Sequence, residues 1–560
     1  MYEEMNNRVK KNILVFIFYL LISYFLFGRN LGTHFNTMYI GPYAHDQLQF
    51  IWSMQWLPYA ITHHLNPIFP KVIWAPLGQN IAIAPGGVFG ASLLALPITI
   101  LFGPVVSYNV LIIVGNALSA FFTFQLIRYI TKSDKAAIIS ALIFGFSTYQ
   151  ITQIIHLNLD LTFLIPLLVY LQVRLWNKDI GTKLFIFLFS ICLVFQFLFS
   201  VELFATFSLL LVIGYILVFL IVYKKSQKII RNAKLVGVGY IITGLLVSPF
   251  LYYAHQIQLP TIPVNPPSFW SIDLLNYGIP TIATLIGHTQ FQQVSATFLP
   301  GIVESGAYIG VPLLILCIAY IAKFWKKPWT KILALGLFII IIFSLGPILH
   351  IAGIATIQLP WKLFTKIKYI SQALPVRFTV YAFLLTSIIC GLWIASPRIK
   401  PLLKYTLVIL SLLFLIPNLG IGGIQATNTN TPSFFTKGTY KRYISRGENV
   451  LILPFAGEGD GMLWQAQTDM YFSMPEGYLT PWPLSPSVFV TNPGIKMLNK
   501  NMDIPPTTQN DYPLFIEVIK QFHIQAILIS PKEYNYFAPI LNPLHVKPKH
   551  IGELLYYNFK

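Results

Sequence analysis

The sequence predicts an all-α polytopic membrane protein of about eleven transmembrane helices, carrying a small C-terminal extracytoplasmic α/β domain. Three observations lead there. Of its 560 residues 55% are hydrophobic and only 10% charged, with a mean hydropathy of +0.65, and no soluble domain buries that much continuous apolar sequence. Apolar runs recur through the first 420 residues, separated by short clusters of lysine and arginine. From about residue 422 the pattern changes to short strand-like and amphipathic segments.

The first apolar run, residues 12–27, follows Arg8, Lys10 and Lys11. No small-residue cleavage site comes after it, and "GRNLGTHF" has the character of the exit from a retained anchor. Basic clusters lie at 8–11, 128–135, 174–183, 224–234, 323–331 and 398–404. Under the positive-inside rule each marks a cytoplasmic turn, which also places the N-terminus in the cytoplasm of a multi-pass cell-membrane protein. The loops expected outside are poor in positive charge: 28–90 holds Arg29 and Lys71, and 254–305 holds no lysine or arginine.

A helical hairpin within 91–130 would invert everything downstream and put most of these cations outside. "ASLLALPITILF" (91–102) is therefore expected to be a short element at the external surface, and 106–128 one inward span. The expected domains are residues 1–421 in the membrane and 422–560 outside it. In the second, "NVLILPF" (449–455) and "AILIS" (526–530) have the pattern of buried strands, and "PLFIEVIKQFHI" (513–524) that of an amphipathic helix. The net charge of +19 does not indicate nucleic acid, because the cations are spread between apolar runs. Cys192, Cys317 and Cys390 all lie inside such runs, so neither a disulfide nor a thiolate metal site is indicated.

Acids are scarce, nineteen in all, and five of them carry the functional reading: Asp46, Asp160, Glu202, Asp273 and Glu304. Each falls at an external span end or in an external loop, on a topology deduced from lysines alone. Away from their ends the spans hold no ionisable residue, which counts against an ion-coupled transporter. Asp46 precedes "QLQFIWSMQWLPYA", whose Leu48, Trp52, Trp56 and Tyr59 recur at helical spacing. That stripe is expected to lie flat in the interface with its tryptophans at headgroup depth, Gln47, Gln49 and Ser53 facing the other way. Asp46 would then be held at headgroup height.

In "QIIHLNLD", His156 and Asp160 stand at i,i+4, on one side of a helix. With His45 beside Asp46 they form a His/Asp cluster that suits a divalent metal or a hydrogen-bonded polar cap. One external segment, "WKLFTKIKYISQALPVRF", goes against the charge trend with Lys362, Lys366, Lys368 and Arg377. It suits contact with anionic headgroups, or a grip on the phosphate of a lipid-linked donor, for which arginine is the better geometric match. For any single acid, a helix cap is the plain alternative.

Several short stretches, taken in order, resemble a known family. They are "HDQLQFIWSMQW", "PLGQNIAIAPGG" (76–87), the long run from "YNVLIIVGNALSAFF" to "QIIHLNLDL", "VESGAYIG", "SLGPILHIAG" (344–353), "LPVRF" (374–378) and "LILPF". The pattern is similar to the polytopic glycosyltransferases of the GT-C superfamily that use polyprenyl-phosphate sugars. The resemblance implies a GT-C-like membrane domain, a polyprenyl-phosphate sugar donor, and a glycan, lipid or protein acceptor. It implies that Asp46 matches the first-loop acid, a general base on the acceptor hydroxyl or a donor-placing group, and that Asp160 borders the same cavity as a second catalytic residue. His45, His156, Glu202, Asp273, Glu304, Arg377 and Lys368 are the expected substrate-binding set. No cofactor is fixed, and a divalent metal is an option. Many relatives show two adjacent acids in the first loop where this chain has His45–Asp46. The rival readings are a lipid-linked saccharide transporter or flippase, and a non-catalytic membrane scaffold.

Overall fold

The computed structural model describes residues 2–559 except 44, 259–262, 289, 368–369, 421–423, 480–486 and 500–506; of residues 2–6 and His45 it describes the backbone alone. The chain opens with α1 (Asn7–Leu31), whose following loop carries strand β1 (Met38–Ile40) and helix α2 (His45–Thr62). Next come α3 (Phe89–Phe102), α4 (Pro104–Thr131), α5 (Asp134–Ile155), α6 (Leu157–Trp176), α7 (Thr182–Phe199), α8 (Val201–Ile221) and α9 (Tyr223–Leu246). A long loop leads to α10 (Val311–Phe324) and α11 (Pro328–Ser344). A hairpin of β2 (Ile348–Ile351) and β3 (Ile354–Gln358) precedes α12 (Pro375–Ala395) and α13 (Pro401–Phe414). Among the described residues eight helices, α1, α4 to α9 and α12, are long and apolar enough to cross a membrane.

Helix ends gather at two poles. At one, the Lys11 ammonium and Arg128 Nε (2.9 Å) pair with Asp134, and Tyr129 donates to Asp179. There too Lys228 lies 4.5 Å from the Trp176 ring, which meets Trp329 edge-on at 5.3 Å. Five of the six basic clusters thus share this pole. The shorter helices α10, α11 and α13 run between the poles: the α10–α11 turn lies by Trp329, whereas Gly310 N–H bonds Tyr277 O and Leu285 N–H bonds Ile416 O at the far end. Among the described residues the eight long helices and these three shorter apolar ones make eleven that run between the poles. Helix α3 does not cross. Gly103 returns its C-terminus at once into α4, whose first turns stay at the far pole and hold β1 through the Ile40 N–H to Asn109 Oδ1 bond of 2.9 Å.

Helix α4 is the centre of the bundle, packed against α1, α3, α5 and α6. Apolar surface drives little association between helices in lipid, so close backbone approach through small residues takes over. Gly145 of α5 shows this. A Cβ there would lie 2.5 Å from Ala120 Cβ and 2.7 Å from Ala120 N.

After α13, strand β4 (Ala426–Asn428) pairs antiparallel with β1, Met38 opposite Asn428. The expected boundary at 421–422 lies outside the described residues. A four-stranded sheet follows in the order β5-β6-β8-β7. In chain order its parts are β5 (Val450–Leu453), helix α14 (Gly461–Gln467), helix α15 (Tyr512–Gln521), β6 (Ala526–Ile529), β7 (Lys549–Ile551) and β8 (Leu554–Asn558). Strands β5 and β6 are parallel and every residue of both is buried, as continuous apolar runs in a two-sided sheet require. The two strands and the helix expected from the sequence are all present.

Helix α2 corrects one expectation. It does not lie flat on an interface. Leu48, Trp52 and Trp56 are buried, and so are Gln47, Gln49 and Ser53 on the other face. Helix α14 covers the tryptophans: Trp52 Nε1 donates to Gln465 Oε1 at 2.5 Å, and Trp52 stacks on Trp56. An amphipathic stripe records that something apolar covers it. Here that partner is protein.

Candidate active site

At the pole opposite the basic clusters, side chains from six regions of the chain meet. Asp46 stands in the first turn of α2. Its Oδ1 accepts from Gln49 Nε2 at 3.0 Å and from the Tyr478 hydroxyl at 3.2 Å, and its Oδ2 lies 3.3 Å from His156 Nε2. His156 occupies the break between the 3-10 turn Gln153–Ile155 and the single turn Leu157–Asp160, with φ −109° and ψ 82°. The Gln153 amide nitrogen donates to Glu304 Oε2 at 2.8 Å, so its oxygen is the atom left to face His156 Nδ1, also at 2.8 Å. Nδ1 is therefore the N–H, and Nε2 is turned to Asp46.

Glu304, in the turn Gly301–Glu304, accepts from Arg377 Nη2 at 3.2 Å. Arg377 Nη1 donates to Glu202, whose other oxygen accepts from Leu374 N–H at 2.9 Å. Ser200 caps α8 by accepting from Leu203 N–H, which puts Glu202 in a first turn where the helix dipole favours an acid. Two carboxylates flank one guanidinium, with the Arg377 side chain 14% exposed and Glu304 3% exposed. Arg377 Nε is buried and has no hydrogen-bond partner among the described residues.

These groups border a cavity of about 530 Å³ whose wall includes Asp46, His156, Trp270, Glu304, Arg377 and Tyr478. That volume lies within the range of about 300–1,000 Å³ usual for small-molecule sites. A smaller recess of about 80 Å³ shares Pro85 and Asn158 with it and reaches Glu202, Phe199 and Phe250.

Four of the expected residues therefore face the cavity together: Asp46, His156, Glu304 and Arg377. Glu202 stands directly behind Arg377. Two expectations are corrected. Asp160 is fully buried, accepts from Asn116 Nδ2 at 2.8 Å and is absent from the cavity wall. The i,i+4 spacing misled because His156 lies outside the helix that carries Asp160, so the two side chains diverge. Asp273 is also away from the cavity. It caps the 3-10 helix Leu274–Tyr277 by accepting from Leu275 N–H (2.9 Å), and it ties that loop to the β2–β3 turn through Gly353 N–H (2.8 Å). The side chain of His45 and all of Lys368 lie outside the described residues. Among the described residues no group of three or more His, Cys, Asp or Glu is placed to hold a metal ion.

The sequence reading missed Tyr478, Gln153 and Trp270, and gave no role to Gln49, which on the face opposite the tryptophans bonds Asp46 and borders the cavity. Tyr478 arrives with the segment that follows the β5–α14 unit, which is bound to the first loop at many points. Ala75 N–H bonds Met474 O, Met474 N–H bonds Val72 O, and Trp74 N–H bonds Glu476 O. Burial pushes the Glu476 carboxyl up to about 8, although the N–H groups of Ala456 and Ile452 act against this. Burial likewise lifts Asp460 to about 6, opposed by the Tyr43 hydroxyl.

The sequence matches no protein-family model and no curated protein. In three dimensions the chain is similar to the Archaeoglobus fulgidus oligosaccharyltransferase in its apo form, at 10% identity and a TM-score of 0.54, over 94% of this chain and 71% of that one. It is similar to the same enzyme tethered to an acceptor peptide containing the NVT sequon, at 11% identity and a TM-score of 0.51, over 98% and 74%. It is also similar to the arabinofuranosyltransferase AftD from Mycobacteria, at 11% identity and a TM-score of 0.57, over 98% of this chain but only 41% of that longer one. At such identities the likeness fixes the architecture: this polytopic helical membrane protein has the GT-C-like fold.

Proposed function

We propose that the protein is a membrane glycosyltransferase that moves a sugar from a polyprenyl-phosphate-linked donor to a glycan, lipid or protein hydroxyl at the extracytoplasmic face. One observation carries the choice of base. Among the three carboxylates of the site the Asp46 side chain is 28% exposed, against 18% for Glu202 and 3% for Glu304, and the last two are locked to Arg377. Asp46 is the acid turned to the cavity.

In the proposed reaction the acceptor oxygen forms a bond to the anomeric carbon while the bond from that carbon to the phosphate oxygen breaks. The acceptor proton passes to Asp46, whose Oδ2 is the oxygen beside His156. The lipid phosphate leaves as an anion toward the Arg377 guanidinium, which borders the cavity. A single displacement with one base inverts the anomeric configuration. The segment 422–560 serves as an extracytoplasmic cover over the site.

The test is sugar transfer by purified protein in lipid vesicles, supplied with polyprenyl-phosphate sugars and followed by mass spectrometry. Asp46→Asn is expected to lower turnover by about 10²–10⁴-fold, the usual contribution of a positioned base. Undiminished transfer by that variant overturns the assignment of the base. Retention of configuration overturns the single displacement.

A further inference from the structure

The segment between α11 and α12 presents a surface with no role in the site. Its core is the 3-10 helix Pro360–Lys366. The inner face is pinned: Trp361 is fully buried, with ring centroids 5.3 Å from Phe343 and 5.2 Å from Phe378, and Phe364 lies 5.5 Å from Phe343. Phe343 is the penultimate residue of α11, and Phe378 stands in the first turn of α12. The short helix is therefore bolted across the ends of two membrane helices, at the level where hydrocarbon gives way to headgroups. The adjoining hairpin is closed at its base by the bond from Leu359 N–H to Pro347 O, 2.9 Å. Ala352 and Gly353 form its two-residue turn, both at positive φ (52° and 76°).

The outer face has a different character. Ile357 is 62% exposed, Leu363 69% and Ile367 48%, and beside them Lys362 and Lys366 are exposed. Lys362 reaches back to Gln358 Oε1 at 2.7 Å. From Gly346 to Phe378 the sequence contains no aspartate or glutamate, so nothing within the segment offsets these cations. Large apolar side chains interleaved with lysines, on an acid-free element fixed at the end of two spans, match an interfacial surface: carbon sinks among acyl chains while ammonium groups meet phosphates.

We propose that this face docks on the headgroups of anionic phospholipids in the surrounding bilayer. The surface does not depend on the reaction assigned to the cavity. It gives the protein a lipid preference at the segment that runs on to Leu374 and Arg377, both on the cavity wall.

The test uses the full chain in vesicles with an environment-sensitive fluorophore at Leu363→Cys; the native cysteines are buried. Vesicles contain phosphatidylcholine with phosphatidylglycerol, and a nitroxide is carried near the top of the acyl chain of one lipid or the other. Bilayer nitroxides are expected to quench position 363 strongly and aqueous iodide weakly. Quenching by labelled phosphatidylglycerol should exceed that by labelled phosphatidylcholine by up to about five-fold per lysine. The excess should vanish in Lys362→Gln/Lys366→Gln while quenching by the bilayer persists. Strong iodide quenching with weak lipid quenching overturns the proposal, as does equal quenching by the two lipids in the unsubstituted chain. Concentration-dependent self-quenching between labelled copies overturns it in favour of a chain–chain contact.

Discussion

The Tyr478 hydroxyl donates to Asp46 Oδ1 across 3.2 Å, although 432 positions separate the two residues in the chain. A donor on a carboxylate favours its charged form and helps to hold its orientation. Tyr478→Phe removes that donor and leaves the ring. Turnover is expected to fall about ten-fold or more, since a hydrogen bond to a charged group is worth about 1.5–3 kcal/mol. The acidic limb of the pH–rate profile should move up, because the charged form of the carboxylate loses a donor. A loss of rate with an unmoved acidic limb would mean that Tyr478 only packs there.

Arg377 stands between Glu202 and Glu304 in a nearly closed setting. Arg377→Gln strands two carboxylates and is expected to cost about 3–5 kcal/mol of stability. Neutralising the acids as well, in Glu202→Gln/Glu304→Gln/Arg377→Gln, should recover most of that loss in thermal unfolding without restoring transfer. Full recovery of transfer would exclude the guanidinium from holding the leaving phosphate.

Glu476 supplies a pH dependence whose sign follows from its burial. Its folded-state value, about 8, lies above the ordinary carboxylate range, so the folded chain holds a proton that the unfolded chain has released. Stability contributed by the neutral carboxyl is complete at acidic pH and declines as pH rises toward and through 8, by up to about 1.4 kcal/mol per unit. Thermal melts at pH 6 and pH 9 should show the difference, and Glu476→Gln should flatten it. Melting that is most resistant at alkaline pH would contradict this.

The two poles of the bundle are expected to face opposite sides of the membrane. Cysteines placed at Lys71 and Lys441 should react with an impermeant maleimide on intact cells, whereas cysteines at Lys178 and Lys400 should react only after permeabilisation. The reverse pattern would turn the whole protein over and move the site to the cytoplasm.

The parity of the spans was legible because it depends on local facts, apolar runs and the lysines between them, which act without knowledge of the fold. Asp46, His156, Glu304 and Arg377 were legible because an ionisable residue in so apolar a chain needs partners. The face of α2 was not. A tryptophan stripe looks the same whether lipid or Gln465 covers it, and that is settled 413 positions away. Asp160 was misjudged because a helical register was carried through His156, where the backbone leaves the helix. Tyr478 had no local signature, since a tyrosine after "MPEG" becomes meaningful only when the C-terminal segment settles on the first loop.

The pairing of β1 with β4 sets an order of assembly. Met38 is made before any of the helices α2 to α13, yet its strand partner Asn428 follows α13, and Tyr478 comes later still. During synthesis the first loop must wait, across nearly the entire course of membrane insertion, for the segment that encloses Asp46. A chain stopped short of Tyr478 lacks the hydroxyl that bonds Asp46 and leaves that wall of the cavity open.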